Sequence, residues 1–147
     1  MSVSVQEADF DCGAEIAALG EGDDGAGAVA SFVGLVRGEG ILAMTLEHYP
    51  AMTEKALADI VAQAQQRWDL RRVRVIHRVG RLLPGDRIVF VGVSSSHRGD
   101  AFAACEFIMD YLKTRAPFWK KEETREGGRW VDARESDDAA ASRWEGR

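Results

Sequence analysis

Ser94–Glu122, SSSHRGDAFAACEFIMDYLKTRAPFWKKE, reads as the end of a strand, a polar turn, one helix and an abrupt stop. Ala101, Ala104, Cys105, Ile108, Met109 and Leu112 recur at helical spacing, so one face of this helix is apolar and meets a core. Asp100 is the expected N-cap, because its carboxylate can accept from the free N–H groups of the first turn. Pro117 disfavours helical geometry at Ala116 and ends the helix there. The charges are unevenly placed. His97 and Arg98 stand just before the helix, while Lys113, Arg115, Lys120 and Lys121 gather at its far end with Phe118 and Trp119 between them. A buried helix that ends in exposed cations and aromatics is a place to look for an anionic substrate.

Working outward, Ile88–Val93 is a nearly continuous apolar run, which predicts a central strand covered on both faces. Leu83-Pro84-Gly85-Asp86 is turn chemistry. Arg72–Val79 alternates, Val73, Val75, His77 and Val79 against Arg72, Arg74, Ile76 and Arg78, which predicts a sheet with one wet face. Thr53 is positioned to cap a helix reaching about Trp68, with Leu57, Ile60, Val61, Ala64 and Trp68 inward. Leu42–Tyr49 is a strand closed by Pro50, and Ala28–Arg37 is a strand in which Gly34 marks a bulge or close backbone approach. Glu21–Gly27 is a loop of solvated acids, Ala14–Leu19 a short helix, and Val3 and Val5 belong to a first strand. Downstream, Thr124–Gly128 is a polar loop, Arg129–Ala133 a last strand, and Ser136 the cap of a closing helix; Glu145–Arg147 are expected to be disordered. Ala28–Tyr49 and Arg72–Ser94 are expected as hairpins, each flanked by a helix. With no internal repeat and no long linker, residues 1–147 read as one α+β domain.

A net charge of −5 argues against general affinity for nucleic acid, so any anion site is a local concentration of cations. Cys12 and Cys105 have no metal-ligand spacing, and Cys105 lies in the apolar stripe as core. No apolar run reaches membrane-spanning length and no secretory signal opens the chain, so a soluble cytoplasmic protein is the expectation.

His48 and His77 fall on mainly apolar strand faces and read as structural. His97 and Arg98 lie between a strand and a helix N-terminus, where backbone N–H groups and a guanidinium suit phosphate; the alternative is an ordinary polar turn. Lys113 borders the buried stripe, and the bend at Pro117 turns Lys120 back towards it, which suits acid/base or nucleophilic chemistry by an amine. The alternative is a pair of solvated lysines complementing the helix dipole. Phe118 and Trp119 fit either a core or a pocket wall. The residues alone support an anion-binding α+β protein: an enzyme using lysine and histidine, or a non-catalytic module gripping a protein tail or phosphorylated ligand. A single-strand nucleic-acid binder built on Phe118 and Trp119 is opposed by the net acidity.

LEHYPAMTEKAL (Leu46–Leu57), HRVGRLLPGDRIVFVGVSSSHRGDAF (His77–Phe102), FIMDYLKTRAPFWKKE (Phe107–Glu122) and RWVDARESD (Arg129–Asp137) resemble the MoaE family, the large, catalytic subunits of molybdopterin synthase. The resemblance runs from about Val29 to Trp144. It implies an α/β hammerhead fold with an added α+β subdomain. It also implies a sulfurtransferase of molybdenum cofactor biosynthesis, which converts cyclic pyranopterin monophosphate (precursor Z) into molybdopterin. The implied sulfur donor is the C-terminal Gly-Gly thiocarboxylate of a small ubiquitin-like subunit. The large subunits are implied to form a homodimer within a heterotetramer; no cofactor or metal is implied. By position, Leu35, Val36 and Arg37 match one substrate-binding stretch, and His97 and Arg98 a second. Lys113 matches the lysine near the donor tail, Lys120 a second essential lysine, and Lys121 and Glu122 continue that stretch. The loop after Arg37 is shorter than in many relatives, and Ala51 stands where the family often has Gly. A helix holding its ends roughly 20 Å apart leads to the expectation of a site shared across the dimer interface.

Overall fold

The apolar run Ile88–Val93 is the axis of the fold. The computed structural model describes residues 2–131 and 135–145. In it β6 (Arg87–Ser95) lies inside a sheet with β1 (Val3–Gln6), β4 (Leu70–Arg78) and β2 (Ala28–Leu35), in the order β1-β4-β6-β2. β1 runs parallel to β4, and β6 is antiparallel to both its neighbours. Alternation along β6 divides its side chains between two cores. Val89, Val91 and Val93 face α3 (Arg98–Arg115) and α2 (Pro50–Arg67), while Phe90 packs with Ile76, Phe10 and Leu19 on the side of α1 (Cys12–Gly20). Gly92 allows α1 to sit close, because a Cβ there would come within 2.5 Å of Leu19 Cδ1.

A second sheet has the order β5-β3-β7-β8, from β5 (Gly80–Leu82), β3 (Ala43–His48), β7 (Phe118–Thr124) and β8 (Gly127–Val131). Val36, Met44, Leu46 and Leu82 make a small third core there. The last helix described, α4 (Glu135–Ser142), leads into Trp144, whose Nε1 donates to Asp110 at 2.6 Å. Trp144 and Trp68 pack edge-on to Phe107, which buries Phe107 and Tyr111 outside the stripe read from the sequence.

The α+β class, the central strand, the α3 stripe and its stop at Arg115 agree with the sequence reading. The bulge falls at Gly34/Leu35, where a Cβ on Gly34 would lie 2.7 Å from Val89. Several expectations are corrected. Asp100 is not the N-cap: α3 begins at Arg98 after His97, and Asp100 sits in the first turn, where its charge still favours the helix dipole. Thr53 does not cap α2. Pro50 starts that helix, since its fixed φ suits the first position and it has no N–H to satisfy. The buried Thr53 hydroxyl instead donates to the Pro117 carbonyl at 3.2 Å. Ala28–Tyr49 is not a hairpin: β2 pairs with β6, and the bulge sends the chain into the other sheet. Arg72–Ser94 does fold back on itself, as β4 against β6. The arginine face of β4 is not simply wet, because α1 covers Ile76 while Arg72 holds the carbonyls of Ala18 in α1 and of Glu21 just after it, both at 2.7 Å. Asp23 is paired with Arg71 at 2.6 Å, which lowers its pKa. Phe118–Thr124 forms an unexpected strand, and β8 runs Gly127–Val131; Asp132 and Ala133 of the expected last strand lie outside the described residues. So do Gly146, Arg147 and the Ser136 side chain, whereas Glu145 is described and pairs with Arg115 at 2.8 Å.

Candidate functional site

The two ends of α3 carry different chemistry. At its start, the serines of SSSHRGD are partly spent on structure. Ser94 Oγ accepts from the Arg72 N–H at 3.0 Å, and Ser95 Oγ donates to the Asp69 carbonyl at 2.9 Å; both are buried. His97 and Arg98 are exposed beside the helix N-terminus, and the His97 side chain makes no cap bond. Nothing fills the space around Gly99. The turn therefore presents backbone N–H groups, an imidazole and a guanidinium outward, a set suited to an anion.

At the other end the chain leaves α3 through Ala116 and Pro117 and enters β7 directly. Phe118 stacks on His77, ring centroids 3.8 Å apart and planes at 20°, and pairs in register with His48 of β3. Strand alternation puts Lys120 and Glu122 on the Phe118 face, and Trp119 and Lys121 on the other. Lys113, exposed in the last turn of α3, acts electrostatically on His77. Burial is the main reason the His77 imidazole is pushed down to about 4; Lys113 and His48 add to it, while the Arg78 carbonyl bonded to Nδ1 at 2.8 Å opposes it. His77 and Phe118, which the sequence reading left as core or undecided, thus join Lys113 to the strand that carries Lys120. His77 could be located in an alternating strand, but nothing in its own segment signalled the stacking partner.

The other expected residues fall as follows. Glu122 is buried and paired with Arg129 across the β7–β8 ladder at 3.2 Å. Lys121 lies 5.9 Å from the Trp130 ring centre, on the face away from Lys120, and its stem crosses Gly128. Leu35 is exposed. Val36 is core, with its backbone tied to the Leu83–Asp86 turn through Asp86 O and Gly85 N, both at 2.9 Å. Arg37 is exposed at the end of that anchored segment, near the start of β6. His97 and Arg98 lie at the opposite end of β6. Fifteen residues of helix separate Arg98 from Lys113, about 22 Å along the axis. The fold therefore brings Lys113 within electrostatic reach of His77 and sets Lys120 on the Phe118 face of β7, and keeps His97 and Arg98 at the other end of α3 from Lys113. A concavity of about 570 Å³ lies between the Gly38–Leu42 loop and the β7–β8 turn, lined by Arg125 and Arg129 among others. It adjoins the loop after Arg37 but holds neither lysine; the lysine corner is the better candidate because it collects groups able to exchange protons.

Cys105 is buried under β6 and its thiol is pushed up to about 11, mainly by burial, so it is protonated and unreactive near neutrality. Among the described residues no group of His, Cys, Asp and Glu is arranged to hold a metal ion.

Residues 5–115 match the family described as MoaE protein. The molybdopterin synthase catalytic subunit of Ralstonia nicotianae is 65% identical over 147 residues, covering 97% of this chain and 84% of that protein. A solved structure of a molybdopterin biosynthesis MoaE protein from Burkholderia ambifaria superposes with a TM-score of 0.85 at 60% identity, covering 97% of each chain. A complex of subunits 1 and 2 of a molybdopterin-converting factor from Helicobacter pylori contains a chain with the same fold, with a TM-score of 0.77 at 20% identity over 91% of this chain and 92% of that one.

Proposed function

The chain belongs to the MoaE family, whose close relatives are molybdopterin synthase catalytic subunits, and from that premise we propose how its own residues carry out the sulfur transfer. It is an enzyme of molybdenum cofactor biosynthesis. The substrate in this reading is cyclic pyranopterin monophosphate (precursor Z), and the sulfur donor is the thiocarboxylated Gly-Gly tail of a small ubiquitin-like subunit. The Helicobacter pylori two-subunit complex supports such a partner. The chain acts as one domain, 1–147, in the cytoplasm; no helix among the described residues is long and apolar enough to cross a membrane.

The observation that carries the site is the convergence of Lys113 and the Lys120 face of β7 on the His77–Phe118 stack. Lys113 positions the thiocarboxylate and exchanges protons as its sulfur attacks a pterin carbon and the oxygen on that carbon leaves as water; a second water then cleaves the acyl–sulfur bond, which leaves the sulfur on the pterin and a carboxylate on the tail. Lys120 holds the substrate at the reacting centre. Arg37, His97 and Arg98 bind the phosphate and stabilise charge as the cyclic ester opens. Leu35 and the Val36 backbone shape the approach to Arg37, while Glu122 fixes β7 through Arg129 and Lys121 lines the outer face towards the donor subunit. Because about 22 Å of helix separates Arg98 from Lys113, one chain cannot direct both at a small pterin. The working site therefore joins the His97–Arg98 turn of one copy to the lysine corner of a second, in a homodimer with a small subunit at each end. Purified chain mixed with thiocarboxylated small subunit and precursor Z should form the dithiolene product. Its absence under conditions where a related synthase turns over would refute the assignment.

A further inference from the structure

His77 is the buried titratable group that the sulfur-transfer reading leaves without a task, and it sits where the elements of the lysine corner meet. Its ring stacks on Phe118, which opens β7 and shares a face with Lys120 two residues on. Phe118 is paired across the ladder with His48 of β3, and His77 is paired with Val89 of β6. Lys113 of α3 and His48 of β3 are the titratable groups acting on the ring. Nδ1 must be the protonated nitrogen, because its partner, the Arg78 carbonyl at 2.8 Å, can only accept. Nε2 then carries a lone pair. Among the described residues no buried side-chain nitrogen or oxygen lacks a partner, and the ring's hydrogen bond is made through Nδ1. His77 is 5% exposed, and Nε2 is the ring nitrogen left to meet a group at the edge of the core.

We propose that His77 is a positioning residue of the lysine site: its stacked ring fixes the start of β7, and with it Lys120, while Nε2 supplies a neutral acceptor that orients Lys113 directly or through one water. The proposal rests on the assignment of Lys113 and Lys120 to the site. A neutral ring suits the task, since a protonated imidazole would repel both ammonium groups. The two parts of the role separate by substitution: a phenyl ring can stack on Phe118 but accepts nothing.

The test uses the full chain with thiocarboxylated small subunit. In His77→Phe we expect a melting temperature within a few degrees of the parent at neutral pH, an unchanged KM for precursor Z, and a kcat reduced roughly tenfold or more through misplacement of Lys113. The chain has four lysines, Lys55, Lys113, Lys120 and Lys121, so the Lys113 ammonium can be followed by NMR. Its titration should move in the variant, whereas a ring that only fills space would leave it in place. A parental kcat in His77→Phe, with Lys113→Ala inactive, overturns this inference and leaves the site assignment standing. Normal turnover in Lys113→Ala overturns the assignment and the inference with it. If His77→Phe fails to fold, the parent protein decides: the Nε2 resonance should shift as Lys113 titrates, and a resonance that does not move refutes the coupling.

Discussion

Replacing His77 should change how the protein responds to acid. The imidazole is pushed from an ordinary 6.5 to about 4, chiefly by burial. Between those values the unfolded chain binds a proton that the folded chain refuses, so stability falls as the pH drops through this window and is unaffected by His77 above it. A difference of two to three units at 1.36 kcal/mol each makes the loss about 3 kcal/mol once the pH is below both values. Asp9, held down to about 2 by its hydrogen bond to Arg87, titrates lower and leaves this window clear. Urea unfolding of the parent and of His77→Phe, from about pH 7 to about pH 4, isolates the effect, because the phenyl ring keeps the stack and the volume while removing the proton site. The parent should lose stability over this range by about 3 kcal/mol more than the variant. Parallel curves would show that His77 takes up its proton as readily in the folded as in the unfolded chain, and would contradict an imidazole held neutral by burial down to about pH 4.

Other outcomes follow from the same geometry. Lys113→Ala should lower kcat by about 10²–10⁴-fold with an unchanged circular dichroism spectrum, whereas Lys121→Ala, on the opposite face of β7, should leave the chemical step intact; equal losses in a single-turnover assay would contradict the division of faces. Gly92→Ala should destabilise by about 1–3 kcal/mol, because the added methyl meets Leu19 and the Phe90 ring at under 3 Å; an unchanged denaturation midpoint would show that α1 can lift off the sheet without cost.

The central strand was legible because Ile88–Val93 has no polar position to give to solvent, and α3 because its stripe and Pro117 agree on where the helix runs and ends. The partners of these elements were less legible. β2 and β3 are adjacent in the chain with a short glycine loop between them, which reads as a hairpin, yet β2 pairs with a strand more than fifty residues away. Nothing local encodes that pairing; only the bulge at Gly34 hinted that the chain changes direction. β7 was missed because its two faces, Phe118-Lys120-Glu122 and Trp119-Lys121-Glu123, each mix an aromatic with charge, so no apolar period appears. Its inward acid, Glu122, is tolerated because Arg129 answers it across the ladder. For the site, the cations at both ends of α3 could be picked out directly, since lysines and arginines beside aromatics are conspicuous in an acidic chain. Their separation followed from helix rise alone. The grouping of Lys113 with His77 and Phe118 did not, because it depends on how the second sheet closes over the first.

The central claim, that one active site draws its phosphate-binding turn and its lysines from different copies, is tested most directly by mixing two inactive variants. Arg98→Ala and Lys113→Ala are each purified, combined, allowed to exchange subunits, and assayed with thiocarboxylated small subunit and precursor Z. Mixed dimers contain one intact site composed of Arg98 from one chain and Lys113 from the other, so activity should return to about a quarter of the parental level. Demonstrated subunit exchange with no recovery of activity would contradict the shared site and place each complete site within a single chain.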